Sequence, residues 1–138
     1  MPRTPRKARR VGVLICDDDA MMRELLRAVV GLRPSLHVVG EAADGDEAIA
    51  QAAELRPDVI LLDLAMPRRT GLEALTELAR VAPEARTIVF SGFSPASVAH
   101  EVTALGAARY LAKGASPDEI NDAIEEVAAR ALPGALVP

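Results

Sequence analysis

Three consecutive aspartates, Asp17, Asp18 and Asp19, a fourth at Asp63, a serine at Ser91 and a lysine at Lys113 are the side chains of this 138-residue sequence with the most chemistry to offer. Each follows directly on a short apolar run. An ionised carboxylate at the end of a buried strand is costly to desolvate, so it belongs at a mouth open to water, a metal or a cationic partner. Read alone, Asp63 is equally well an ordinary strand-end Asp; read with the others, it belongs to a convergence. Carboxylates crowded together repel, so either a proton is shared or a cation binds. Oxygen ligands without His or Cys suit Mg²⁺ or Mn²⁺, and Mg²⁺ is favoured because it needs few protein ligands and keeps several waters. A lysine and a hydroxyl facing such a metal make a site for a dianion. Phosphate is the obvious candidate, with Asp63 as the nucleophile that would form an acyl phosphate. The metal and Lys113 would then neutralise charge on the transferring phosphoryl oxygens.

Such a site needs strands that end together. Val11 to Cys16, Leu36 to Gly40, Val59 to Leu62, Thr87 to Phe90 and Ala108 to Ala112 read as five strands, the central one buried on both faces. Between and after them lie five helical patterns. Asp19 is a candidate N-cap for the first, which carries Met22, Leu25, Leu26, Val29 and Leu32 and is closed by Pro34. Asp44 opens the second and Pro57 stops it; the third runs from Thr70 to Val81; Pro95 starts the fourth; Ser116 caps the fifth, and Pro133 ends regular structure. Alternating strands and helices predict an α/β, doubly wound parallel sheet with right-handed crossovers. Ligands bind outside the carboxyl ends of such strands, and strands lie about 4.8 Å apart, so residues ending neighbouring strands reach one small pocket.

Composition narrows the function. Half of the residues are hydrophobic, a quarter charged and only 2% aromatic, which describes one aliphatic-cored globular domain without a stacking platform for nucleobases. The net charge of −4 gives no general case for nucleic acid or an anionic membrane. The single cysteine, Cys16, excludes an internal disulfide framework and a cysteine zinc cluster and reads as a small core residue. Apolar runs are too short for a signal peptide or a membrane span, so a cytoplasmic protein is expected. Residues 1–10, with Arg3, Arg6, Lys7, Arg9 and Arg10, read as a disordered basic tail, 11–131 as the domain and 132–138 as a C-terminal tail.

The motifs V-L-I-C-D-D-D, L-L-D-L-A-M-P-R-R-T-G, I-V-F-S-G and Y-L-A-K, in this order and spacing, resemble the receiver domain of bacterial two-component response regulators over residues 11 to 131. The resemblance implies the flavodoxin-like (βα)5 fold with strand order 2-1-3-4-5. It implies that Asp63 is phosphorylated by a sensor histidine kinase or phosphotransfer protein, and that Mg²⁺ is held by Asp18, Asp63 and the backbone carbonyl of Ala65, with Asp17 acting through water. Ser91 and Lys113 match the hydroxyl and lysine that meet the phosphoryl group. Ser91 and Tyr110 match the switch pair, the ring moving inward as the serine is drawn to phosphate. The protein would then be a signalling domain with limited self-catalysed phosphorylation and dephosphorylation rather than an enzyme. Its output partner or DNA-binding output domain lies outside this chain, and a homodimer stays open. In this sequence Gly114 follows the lysine where family members often have Pro, which leaves the conformation of that peptide bond open. Ala65 and Phe93 occupy positions that tune phosphoryl lifetime; neither can hydrogen-bond an attacking water, so slow autodephosphorylation is expected.

Two other readings use the same residues. In a haloacid-dehalogenase-type phosphatase, Asp17 and Asp19 would be nucleophile and acid/base, but the later acidic pair and a cap are missing and Asp63 is left without a role. A receiver-like interaction module that is never phosphorylated would leave the acidic, hydroxyl and lysine set unused. His37 and His100 lie away from the motifs and read as surface or packing residues rather than phosphodonors.

Overall fold

The computed structural model describes residues 9–92 and 96–130, without the side chains of residues 96 and 97. Ten elements alternate: β1 (Val11–Cys16), α1 (Ala20–Val30), β2 (Leu36–Ala42), α2 (Gly45–Leu55), β3 (Val59–Leu62), α3 (Gly71–Val81), β4 (Arg86–Ser91), α4 (Ala96–Ala104), β5 (Arg109–Ala112) and α5 (Pro117–Arg130). The strands form one parallel sheet in the order β2-β1-β3-β4-β5. The fold is therefore the flavodoxin-like doubly wound sheet, with its order reversing between β1 and β3.

Side chains alternate across a strand, so each strand feeds two cores. Val13 and Ile15 of β1, Val59 and Leu61 of β3, and Ile88 and Phe90 of β4 pack with Leu26, Val29 and Val30 of α1 and Ile120, Ile124 and Val127 of α5. On the other face, Leu14, Cys16, Ile60, Leu62 and Val89 meet Ala48 and Ala52 of α2, Ala74, Leu75 and Leu78 of α3, and Val102 of α4. A strand buried on both faces cannot show polar alternation, which is why Val59–Leu62 is apolar throughout. Among the described residues no helix is long and apolar enough to cross a membrane.

The helix starts follow their capping residues. Asp19 accepts from the Met21 N–H and Asp44 from the Glu47 N–H. Thr70 and Glu73 exchange bonds in a capping box, and Ser116 and Glu119 do the same at the start of α5.

β4 differs from the sequence reading by one residue at each end and β5 by one at its start, and three boundaries differ by more. Pro34 does not close the first helix: α1 ends at Val30, where the Gly31 N–H bonds back to the Arg27 carbonyl. Leu32 therefore lies beyond the helix and is 67% exposed, and Leu25 faces solvent as well. β2 runs past Gly40 to Ala42, because a register irregularity at Val13/Leu14 brings Glu41 and Ala42 opposite Ile15 and Cys16. The folded part also reaches back into the stretch read as a basic tail. The Arg9 guanidinium lies 2.8 Å from Asp58 Oδ1, and Arg10 donates to the Leu36 carbonyl at 3.2 Å. Residues 1–8, Phe93, Pro95, Pro133 and the C-terminal tail lie outside the described residues.

Candidate functional site

At the carboxyl end of the sheet, backbone pairing carries each reactive residue one step beyond its strand. The Asp17 N–H bonds to the Ala42 carbonyl, the Asp63 N–H to the Cys16 carbonyl and the Lys113 N–H to the Ser91 carbonyl. Asp17 and Asp63 consequently stand side by side at the switch in strand order, and Lys113 arrives from β5. Ligand oxygens of Asp17, Asp18 and Asp63 all lie within 4.8 Å of one another, with Asp17 and Asp63 buried and Asp18 exposed. Lys113 Nζ is 2.9 Å from Asp17 Oδ2 and 3.4 Å from Asp63 Oδ2.

The carboxylates are oriented by short local bonds. Asp17 Oδ1 accepts from the Asp19 N–H at 2.9 Å, and Asp63 Oδ1 from the Ala65 N–H at 3.3 Å. Asp17 Oδ2 is buried and has no directed hydrogen bond among the described residues, so its close approach to Lys113 is an ion-pair contact. Burial pushes the Asp63 carboxyl above the ordinary carboxylate range; the Ala65 N–H opposes this, Asp17 adds to it, and Lys113 opposes it in turn. Burial alone would lower Lys113, but Asp17 and Asp63 outweigh it and hold the ammonium above its usual range.

The loop after Asp63 is closed by Gly71, whose N–H bonds to the Leu64 carbonyl. A Cβ at position 71 would sit 2.5 Å from the Asp63 carbonyl oxygen, so only glycine lets α3 begin this close to the site. Ser91 ends β4, between the strands of Asp63 and Lys113, and is fully buried. Tyr110 lies opposite Val89 and packs against the core under α2, α3 and α4, its hydroxyl enclosed and without a hydrogen bond among the described residues. The peptide bond between Lys113 and Gly114 is trans.

Asp19 does not join the cluster; its carboxylate caps α1, which removes the acid/base that a phosphatase reading needs. His37, opposite Gly12 near the start of β1, and the exposed His100 of α4 lie apart from the cluster. A surface hollow lies at the other end of the sheet, lined by Arg9, Gly12, His37, Arg56 and Asp58. There Asp58 is already engaged by Arg9 and the Gly12 N–H.

One participant escaped the sequence reading. Arg23 donates to the Asp17 carbonyl at 2.7 Å and to Glu41 Oε1 at 3.2 Å, and Arg27 pairs with the other Glu41 oxygen. The signal was an arginine one turn into the helix that follows the strand-end acids. Its partner Glu41 was hidden by the apparent end of β2 at Gly40.

All-oxygen donors on three converging carboxylates, without His or Cys, fit a hard divalent cation of the Mg²⁺ type. The arrangement joins a buried carboxylate, an adjacent ammonium and a cluster of carboxylate oxygens that a divalent metal would fit.

Comparison with known proteins agrees with this geometry. The family model for the response regulator receiver domain matches residues 13–125. The transcriptional regulatory protein LiaR of Bacillus subtilis (strain 168) is 40% identical over 114 residues, which are 83% of this chain and 54% of LiaR. The chemotaxis protein CheY of Thermotoga maritima is 33% identical over 115 residues, 83% of this chain and 95% of that protein. Among solved structures, the signal receiver domain of the putative response regulator NarL from Mycobacterium tuberculosis superimposes with a TM-score of 0.83 at 30% identity, covering 88% of this chain and 98% of that one. The chain thus spans about half the length of LiaR and nearly all of CheY. It belongs to the response regulator receiver domain family.

Proposed function

We propose that this receiver accepts a phosphoryl group on Asp63 from a phosphohistidine of a sensor kinase or phosphotransfer protein, in a Mg²⁺-dependent reaction. The observation that carries the proposal is the meeting of Asp63, Asp17 and Asp18 within 4.8 Å, with Lys113 Nζ 3.4 Å from the Asp63 carboxylate. An Asp63 oxygen forms the new P–O bond as the donor's P–N bond breaks, and the leaving imidazole takes up a proton. Asp18, Asp63 and the Ala65 carbonyl would hold the metal, with Asp17 acting through water. A bound divalent cation supplies positive charge against the phosphoryl oxygens.

Lys113 helps to keep Asp63 ionised, and its flexible stem lets the ammonium move from the carboxylates to the phosphoryl group. Ser91, at the end of β4, turns to a phosphoryl oxygen. Tyr110, two residues before the end of β5, follows it inward, biasing a two-state surface made of α4, β5 and α5. The likeness to the transcriptional regulatory protein LiaR suggests a DNA-binding output domain as partner, and the likeness to the chemotaxis protein CheY suggests a separate target protein. Either role is one for a cytoplasmic protein, which is the localisation we propose.

The test is intact-protein mass after incubation with Mg²⁺ and phosphoramidate. One added phosphoryl mass, absent without the metal and absent in Asp63→Asn, is expected. An unmodified wild-type protein that also fails to bind Mg²⁺ would contradict the proposal and leave a receiver that acts without phosphorylation.

A further inference from the structure

The loop from Ala65 to Arg69 connects the Asp63 end of β3 to α3, yet its backbone bonds are all local. Ala65 donates to the Asp63 side chain and Arg69 to the Pro67 carbonyl; among the described residues no other hydrogen bond ties this backbone to another element. Arg68 also takes a left-handed conformation, φ +69°, which an unbranched side chain adopts only at some cost. Something outside the loop must hold it.

The first turn of α2 supplies that hold. Asp44 Oδ2 lies 3.3 Å from Arg68 Nε while its other oxygen caps the helix, and Asp46 Oδ1 accepts from Arg69 Nε at 3.0 Å. Between the two carboxylates stands Gly45, so close to the loop that a Cβ there would meet the Arg69 carbonyl oxygen at 2.1 Å and the Arg69 Cβ at 2.6 Å. Met66, buried in the same core as Ala48 and Ala52 of α2, pins the loop from inside. Surface ion pairs of this kind are individually weak. The glycine contact is different, because no side chain can yield: backbone must move.

We infer that Asp44, Gly45 and Asp46 are positioning residues for the phosphoacceptor site, acting through Arg68 and Arg69 on the loop that carries Ala65 and orients Asp63. The inference rests on the reading of Asp63 as phosphoacceptor. Moving the loop shifts the Ala65 N–H that fixes the Asp63 carboxylate, so disturbance at α2 reaches the metal ligands without touching them.

The experiment compares the full chain with Gly45→Ala, Asp46→Arg, Arg69→Asp and the Asp46→Arg/Arg69→Asp charge exchange. Three quantities are read: the Mg²⁺ dissociation constant by calorimetry without phosphodonor, the rate of mass gain with phosphoramidate, and the thermal midpoint. Gly45→Ala is expected to weaken Mg²⁺ on the order of tenfold. Each single charge variant should weaken it roughly two- to fivefold, and the exchange should restore it. A folded Gly45→Ala protein with wild-type Mg²⁺ affinity and rate, whatever its midpoint, overturns the inference. Should Gly45→Ala not fold, the charge variants decide, and unchanged Mg²⁺ affinity in both singles overturns it equally. Wild-type protein that neither binds Mg²⁺ nor gains mass refutes the phosphoacceptor reading itself, and the inference falls with it.

Discussion

Asp63 is a carboxylate held against its own preference for water, only 4% exposed beneath the mouth of the site. Because burial raises its pKa in the folded protein, the folded state binds the proton more readily than the unfolded chain. Its contribution to stability is present below the unfolded value and is lost as pH rises through the folded one. Asp63→Asn should therefore stabilise the protein at neutral pH and raise its denaturant midpoint. The difference should close as pH falls below about 3.9. Denaturant midpoints of the two proteins at neutral and acid pH check this; a gap that persists in acid would show that ionisation is not the cause. Tyr110 poses a related problem, since its enclosed hydroxyl has no hydrogen bond among the described residues. Tyr110→Phe removes an unmet polar group and should be neutral or stabilising by up to about 1 kcal/mol, read in the same denaturation series; a loss of that size would reveal a partner for the hydroxyl. Asp17, Asp18, Asp63 and Lys113 were legible in the sequence because each ends a strand, and strand ends meet in a parallel sheet. Arg23 and Glu41 were not, because their meeting depends on how far β2 runs, and Gly40 disguises its last two residues.

At the scale of elements, α5 is held to the end of α1 by a brace. Arg33, in the α1–β2 turn, lies 2.8 Å from both Asp122 Oδ1 and Glu125 Oε1 and 3.3 Å from Asp118 Oδ1. Ser35 donates to Glu125, and the buried Asn121 donates to the Val29 carbonyl at 2.8 Å. Two of the three acids facing Arg33 are largely exposed, so Arg33→Ala should cost little, and less still at high salt. Asn121→Ala removes a buried side chain and its bond to the Val29 carbonyl, which keeps the Leu32 N–H, and should cost more, about 1–2 kcal/mol, without salt dependence. Urea midpoints of both variants with and without added salt test this order; a larger and salt-independent cost for Arg33→Ala would contradict it. The helix starts were readable because Asp19, Asp44, Thr70 and Ser116 bond their own next turns. The end of α1 was misread because Gly31 stops the helix before Pro34 can. The hold of α2 on the Asp63 loop was unreadable for another reason: Gly45 looks like any helix-start glycine until the distant loop against it is seen.

For the whole molecule, two aliphatic cores flank one sheet, and the acidic cluster and Lys113 are gathered at its carboxyl end. That arrangement was legible because alternation of strand and helix dictates right-handed crossovers, and the crossovers dictate which strand ends meet. Chemistry at the acidic end remains the point on which the account stands. The most direct test is to phosphorylate the protein with phosphoramidate and Mg²⁺, reduce it with borohydride, which converts an aspartyl phosphate to homoserine, and locate that residue by peptide mass spectrometry. Homoserine at position 63 alone is the predicted result; homoserine at position 17 or 18, or stoichiometric phosphorylation that leaves Asp63 intact, would contradict it.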